Sequence, residues 1–490
     1  MSTTIEANTD RTGGGQDVLA ALAKFSCETR FEDLPEAVVR ETERMLLDTV
    51  GVAFAAQAID KGKICVAVSQ RLGGAPEATI LGSRGKVSAS NAALANGELI
   101  NALDYDALFI PGGHVAPYVV PAILAMAEAR DVSGRDLVLA LALGTEVAMR
   151  VTRGMSPMVQ TVSHPDGGQS YRWTDPYGGS RYNLGAAAGV GRLLGLDTGK
   201  MSHALGLSGH HTQVPTHSKL SYTLPVPMSK YGTPGWQSTG AIVSALLAEA
   251  GYKGDIALFD GPSGFWRFSG SEAWMPGKVL HGLGDEWALL EQQYKPYPCC
   301  RVVHTCLDLF RAMLAEHRWL PEDIDSVRIF ASAYAEKPHL QNKSIRTAMD
   351  AQFSAAYAMA MAAVGTPVGV EWQEPDALQS PRVKAFMQKV SCKVHPEYTR
   401  RPLADKLMIL GRVEVTAGGN SYEAEASFAH GTPRPGYAIT DDELCAKFAH
   451  NVSRLLAPEE AIRAAKSLMH LHGLEQVSQM VRHLTPAQVS

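Results

Sequence analysis

Apolar residues recur at three- and four-residue intervals along most of the first half of this chain. Between Val18 and about Ala248 the spacing predicts helices over 18–26, 35–56, 88–103, 117–130, 134–153, 183–195, 200–208 and 235–250, with strand-like alternation almost absent. Local signals agree. Pro35 stands at a first helical position, Ser88 and Ser133 are N-cap residues, and Gly195 and Gly251 follow helix ends. The helix over 183–195 is rich in Ala and Gly, side chains small enough to let helix backbones approach closely. Its glycines are not a dinucleotide fingerprint, because Gly189, Gly191 and Gly195 miss the G-x-G-x-x-G spacing and follow no predicted strand.

The pattern changes after about Gly277. Residues 327–331 read as a strand and 411–428 as a hairpin, in which Val413, Val415, Tyr422, Ala424 and Ala426 alternate with polar residues around Gly418, Gly419 and Asn420. From about Asp441 to Pro486 helical spacing returns, with Leu444, Phe448, Val452, Leu455 and Leu456 on one face. This order predicts a mainly α protein, a large all-helical domain with an inserted smaller α+β lid domain. The expected boundaries are a disordered tail over 1–17, a first helical part over 18–276, the lid over 277–432 and a helical C-terminal part over 433–490. No internal repeat and no low-complexity linker separates these parts, so a large interface between them is expected.

Composition narrows the function classes. A chain of 490 residues, 46% hydrophobic and 19% charged, has the profile of a soluble globular enzyme. Its net charge of -5 comes without any basic stripe that could neutralise a run of phosphates, so no nucleic-acid partner is expected. No membrane partner is expected either, since the apolar region over 137–151 is broken by Gly144, Glu146 and Arg150. The N-terminal stretch carries Glu6, Asp10 and Gly13 to Gly15 and has neither a signal-peptide apolar core nor transit-peptide character. Seven cysteines, an odd number and scattered, argue for a reducing compartment over a disulfide framework, and a cytoplasmic location is expected. No metal is expected: Cys299 and Cys300 lack a second pair at ligand spacing, and His210, His211 and His217 lack a carboxylate or cysteine partner.

Two sets of residues could carry chemistry. The first runs from Asn101 through Asp104 and Asp106 to His114, a helix end leading into a Gly-containing loop that presents a histidine. An imidazole titrates near physiological pH, and a neighbouring carboxylate can fix its tautomer, although a surface loop histidine would give the same pattern. The second is a pair of lysines in Gly/Pro-bounded loops, Lys230 after Ser229 and Lys295 before Pro296-Tyr297-Pro298. At a cleft they would hold carboxylates or developing negative charge; on the surface they would simply be solvated. Neither a GxSxG motif nor a P-loop is present, which lowers hydrolase and kinase readings.

In combination these segments resemble the MmgE/PrpD family over about Val18 to Leu471. The resemblance rests on Leu103-Asp104-Tyr105-Asp106 with His114 about ten residues on, the Lys230 loop, Lys295-Pro296-Tyr297-Pro298, Tyr334 to Pro338, and Ala351 to Tyr357. It implies a helical domain with an α+β lid, an active site between them, a homodimer, and no metal or other cofactor. It also implies that Asp104, His114, Lys230, Lys295 and Tyr334 line the site; Arg301 and Thr174 are further candidates for binding substrate. Three positions depart from the decarboxylases of the family: Leu108 replaces a threonine, Cys300 a histidine, and Thr174 or Pro176 another histidine. The stretch 164–182 carries extra residues, and Arg172, Trp173 and Arg181 would reshape the pocket there.

The function expected from the resemblance is a cofactor-free lyase acting on a small di- or tricarboxylate, first of all the dehydration or hydration of an acid of the 2-methylcitrate type. Decarboxylation of a cis-aconitate-like acid or epimerisation of a related dicarboxylate is the enzymatic alternative, and a catalytically silent helical scaffold or binding protein the non-enzymatic one. In the lyase reading His114 is the general acid/base, Asp104 its orienting or proton-sharing partner, Lys230 and Lys295 bind carboxylate and oxyanion, and Tyr334 contacts the substrate.

Overall fold

The computed structural model describes residues 15–110, 113–156, 159–164, 169–173, 179–211, 217–400, 405 and 407–486. The protein is mainly α. Helices Gly15–Glu28, Glu36–Ala55, Ala89–Ala102, Ala116–Arg130, Gly134–Gly154, Asn183–Leu193, Thr198–Gly209 and Pro234–Glu249 stand where the apolar spacing predicts them. Ser88 and Ser133 cap their helices by accepting from the backbone N–H of Asn91 and Asp136. The first helix begins at Gly15, inside the expected tail, with Asp17 favourably placed in its first turn. Among the described residues no helix is long and apolar enough to cross a membrane.

Among the described residues of the first half, a helix and two strand pairs, besides short helical turns such as His217–Leu220, escape the periodicity. The helix Asp60–Leu72 buries Lys61, Gly62, Val66 and Ser69 while Ile64, Val68 and Leu72 face outward, so its apolar stripe marks the wrong side. An antiparallel hairpin pairs Val159–Ser163 with Gln169–Trp173, and Ala78–Thr79 pairs with Lys86–Val87, so this half holds two short strand pairs where strand-like alternation is almost absent. Each is too short for a two-residue period to stand out against its helical surroundings.

Small residues set the helix spacing that later builds the site. A Cβ on Gly185 would lie 2.1 Å from the carbonyl oxygen of Gly144, so the helices Gly134–Gly154 and Asn183–Leu193 meet backbone to backbone. The same holds where Ala89–Ala102 crosses Pro234–Glu249: a Cβ on Gly235 would lie 2.0 Å from the carbonyl oxygen of Leu94. That crossing joins the helix ending before Asp104 to the helix starting just after Lys230.

One hydrophobic core gathers the helices up to Leu289 and takes in the C-terminal helices Asp441–Val452, Pro458–Met469 and Val477–His483. A second core, from Tyr297 to Ala417, forms around a four-stranded sheet in the order Val390–Val394, Ile324–Ala331, Gly411–Ala417, Asn420–Ala426. The first pair is parallel and the other two antiparallel. Val413, Val415 and Ala417 point inward from alternate positions, as the hairpin pattern predicts, and Gly418 and Gly419 take the positive φ of the turn. Helices His304–His317, Ala355–Ala363 and Pro381–Lys389 complete this core.

Candidate active site

Four predicted residues from three distant stretches of chain converge where the two cores meet. Asp104 follows the end of the Ala89–Ala102 helix at φ 52°, the left-handed position where glycine usually ends a helix. Lys230 has φ 48° in a turn, with no helix end to account for it. Holding a long side chain there costs about 1 kcal/mol, which the surrounding hydrogen bonds must offset.

Asp104 is the hub. Lys295 Nζ donates to its Oδ2 at 2.5 Å and to its carbonyl oxygen at 2.7 Å. Lys230 Nζ donates to its Oδ1 at 3.2 Å, to the carbonyl of Asn101 at 2.6 Å and to Gln352 Oε1 at 3.0 Å. The Tyr231 hydroxyl donates to the same Oδ1 at 3.0 Å and accepts from Asn101 Nδ2 at 2.8 Å. Lys230 thus has all three of its N–H groups engaged, whereas among the described residues Lys295 uses two on Asp104 and meets no third acceptor.

His114 sits beside this hub with its ring stacked on Tyr231, the centroids 4.9 Å apart. Its Nδ1 is 2.7 Å from Asp106 Oδ2, while its Nε2 is 3.8 Å from Asp104 Oδ1, beyond hydrogen-bond distance. The orienting carboxylate is therefore Asp106, not Asp104, because the Asp104 oxygens are already taken by two lysines and a tyrosine. With Nδ1 tied to Asp106, Nε2 is the ring nitrogen left to exchange a proton.

Burial alone would raise the pKa of Asp104, but Lys295, Lys230 and His114 outweigh it and hold the carboxyl well below the usual range. Burial pushes the Lys230 ammonium down to about 8, against the pull of Asp104. The charge on Lys230 is present below that pH and lost as pH rises through it. If turnover needs that charge, kcat/KM falls on the alkaline side with a midpoint near 8; a profile flat to the ordinary lysine range near ~10 would count against it.

Residues 20–275 match the MmgE/PrpD N-terminal domain, and residues 297–471 match the MmgE/PrpD C-terminal domain. The chain belongs to the MmgE/PrpD family. It is 24% identical to the cis-aconitate decarboxylase of Homo sapiens over 478 residues, covering 93% of each chain. It is 23% identical to the Mus musculus cis-aconitate decarboxylase, covering 93% of this chain and 91% of that one. A cis-aconitate decarboxylase-like protein, oryM, of Aspergillus oryzae is 24% identical, with 96% of this chain and 98% of that protein covered. The protein is an enzyme, an MmgE/PrpD-type lyase.

In this MmgE/PrpD member the other candidates fare differently. Arg301 is buried, and its N–H groups go to Gln293 Oε1, His304 Nδ1, Thr432 Oγ1 and the carbonyls of Ala429 and His430. All five join the Lys295 loop to the chain that leads back into the first core, so a substrate contact by Arg301 would require one of them to be displaced. Tyr334 lies in the turn Ala333–Glu336, partly buried against the second core. Its neighbours reach the loop before Lys230: Lys337 Nζ lies 2.5 Å from the Tyr222 hydroxyl, and the His339 N–H donates to the Ser221 carbonyl at 3.3 Å. Thr174 and Pro176 lie outside the described residues.

Sequence reasoning gave no role to Tyr231 or to the glutamines that brace the hub. Gln352 Nε2 donates to the Ala102 carbonyl at 2.7 Å and to Gln373 Oε1 at 2.8 Å, and Gln373 Nε2 donates to the carbonyls of Leu103 and Pro298. Tyr231 and Gln352 stand inside the motif stretches already singled out, but neutral amides and phenols give no titration signal to read.

Proposed function

We propose that this lyase acts without a cofactor on a small di- or tricarboxylate, removing water from, or adding it to, an acid of the 2-methylcitrate type. The observation that carries this reading is the Nε2 of His114, which makes no hydrogen bond among the described residues, its ring oriented by Asp106 and flanked by two lysine side chains. His114 takes the proton next to a carboxylate. The remaining N–H of Lys295, together with a Lys230 donor released when substrate displaces one of its protein acceptors, stabilises the enediolate charge. As the hydroxyl leaves the neighbouring carbon, the imidazolium returns the proton to it, so a C–H and a C–O bond are exchanged for a double bond and water.

Decarboxylation of cis-aconitate is the second reading, favoured by the three relatives named above. Two positions count against it. Cys300 replaces a family histidine, and burial pushes its thiol up to about 11, too high to pass protons at neutral pH. Leu108 replaces a threonine and brings no hydroxyl; its backbone pairs with Gln293 at 2.9 and 2.7 Å. The test is to incubate the pure protein with 2-methylcitrate, citrate, cis-aconitate and related dicarboxylates. Absorbance of a new conjugated double bond marks dehydration, carbon dioxide marks decarboxylation, and α-proton exchange in heavy water without either marks epimerisation. No change with any acid would leave the silent scaffold.

The second core is proposed to act as a lid, since Asp104, Lys230 and Lys295 are almost wholly buried and substrate must reach them. A homodimer is part of the same reading. Ile64, Val68 and Leu72 on one helix and Trp236, Val243 and Leu247 on another are exposed, and both helices pack on Ala89–Ala102. Val243→Glu with Leu247→Glu is expected to convert a two-chain mass in light scattering to one chain; an unchanged mass would remove this face from the interface. The cysteines are all unpaired, in keeping with a cytoplasmic location.

A further inference from the structure

A lysine that neither the motifs nor the proposed chemistry uses lies directly beneath the hub. Lys447 comes from the C-terminal helix Asp441–Val452 and is buried. Its Nζ donates to the carbonyl of Tyr105 at 2.9 Å and to the carbonyl of Lys295 at 2.9 Å, and it pairs with Asp48 Oδ1 at 2.7 Å. The same ammonium lies 3.8 Å from the centre of the Tyr105 ring, whose hydroxyl donates to the carbonyl of Pro296 at 3.2 Å. Tyr105 stands between Asp104 and Asp106, and Lys295 supplies the shortest contact to Asp104.

We propose that Lys447 is a positioning residue: one buried ammonium fixes the two main-chain segments that carry Asp104, Asp106 and Lys295, and so sets the geometry of the reacting groups. The inference rests on the lyase reading for its effect on turnover, but not for its structural content.

A buried ion pair alone is weak support for a fold, because apolar residues of the same size often hold two helices as well or better. An apolar pair at 48 and 447 could not satisfy two carbonyls. These belong to irregular chain with no helix or ladder to supply donors, and a buried carbonyl without a donor is costly. Lys447 thus does something that its partner Asp48 does not: Asp48 balances the charge and faces the Ala107 N–H in one segment, whereas Lys447 ties the two segments together.

That difference is the test. In the full chain, Asp48→Asn keeps the carbonyl bonds and disturbs only the charge balance. Lys447→Met loses the bonds and leaves a buried carboxylate, while the double variant Asp48→Asn/Lys447→Met loses them without leaving a buried charge and so protects against simple misfolding. Turnover of 2-methylcitrate and of cis-aconitate is measured, together with backbone hydrogen exchange over 103–108 and 293–297.

Lys447→Met and the double variant are expected to lower kcat by at least about tenfold, with KM within about threefold, because misplaced reacting groups cost turnover more than binding. Both should speed exchange in the two segments. Asp48→Asn is expected to lower the thermal midpoint yet keep kcat within about threefold and exchange unchanged. Equal kcat losses in Asp48→Asn and Lys447→Met, or near-normal turnover and exchange in the double variant, would overturn the proposal. If the wild type turns over neither acid, the lyase reading fails on its own, and the exchange comparison still decides whether Lys447 holds the two segments.

Discussion

Replacing His114 is expected to lower kcat by roughly 10²- to 10⁴-fold, the range for loss of a positioned acid/base. The structure shows how to measure this cleanly. His114 is not a loose loop residue: its Nδ1 meets Asp106 and its ring lies on Tyr231. His114→Ala therefore also strips a buried carboxylate of its partner, at a cost of about 1–3 kcal/mol. His114→Asn keeps a donor near the Nδ1 position but has no nitrogen able to exchange a proton. Both variants should lose turnover to a similar degree, and only the alanine variant should lose much thermal stability. Near-normal turnover in a folded His114→Asn protein would remove His114 from the mechanism and reduce it to a packed structural residue.

The second large effect is expected at Asp104. Two buried ammonium groups share this one carboxylate, so Asp104→Asn leaves them facing each other without the charge that bridges them. Breaking a buried pair in this way costs about 3–5 kcal/mol. Turnover should fall with it, because the lysines can relieve the repulsion only by losing a proton or moving apart. The pH dependence has a definite sign. The folded pKa of Asp104 lies below its unfolded value near ~3.9, so its stabilisation is complete above that pH and is lost as pH falls through the folded value. The gap in denaturation midpoint between wild type and Asp104→Asn should be full at neutral pH and close only in strong acid. A gap that is absent at neutral pH would mean that the lysines are uncharged in the folded protein.

The sequence by itself determined the helical framework, because each helix carries its own evidence. Apolar spacing, Ser88 and Ser133 as caps and Gly195 as a stop are read within a few residues of one another. The hairpin at 411–426 was legible for the same reason, through strict alternation and two turn glycines. The motif stretches also contained most of the candidate site: Asp104, His114, Lys230 and Lys295 lie side by side. What the sequence could not assign were the partners. Whether Asp104 or Asp106 orients His114 depends on which oxygens two lysines from 126 and 191 residues away have already claimed. Arg301 looked available until five acceptors from neighbouring and distant chain took its N–H groups. Lys447 carries no motif, and its contact with Tyr105 spans 342 residues. The helix 60–72 was missed because tertiary packing covers its polar side and leaves its apolar side open. Local periodicity is a property of neighbours along the chain, whereas a charge finds its partner only when distant segments are packed together, and only the tertiary structure decides which donors and acceptors are already spent.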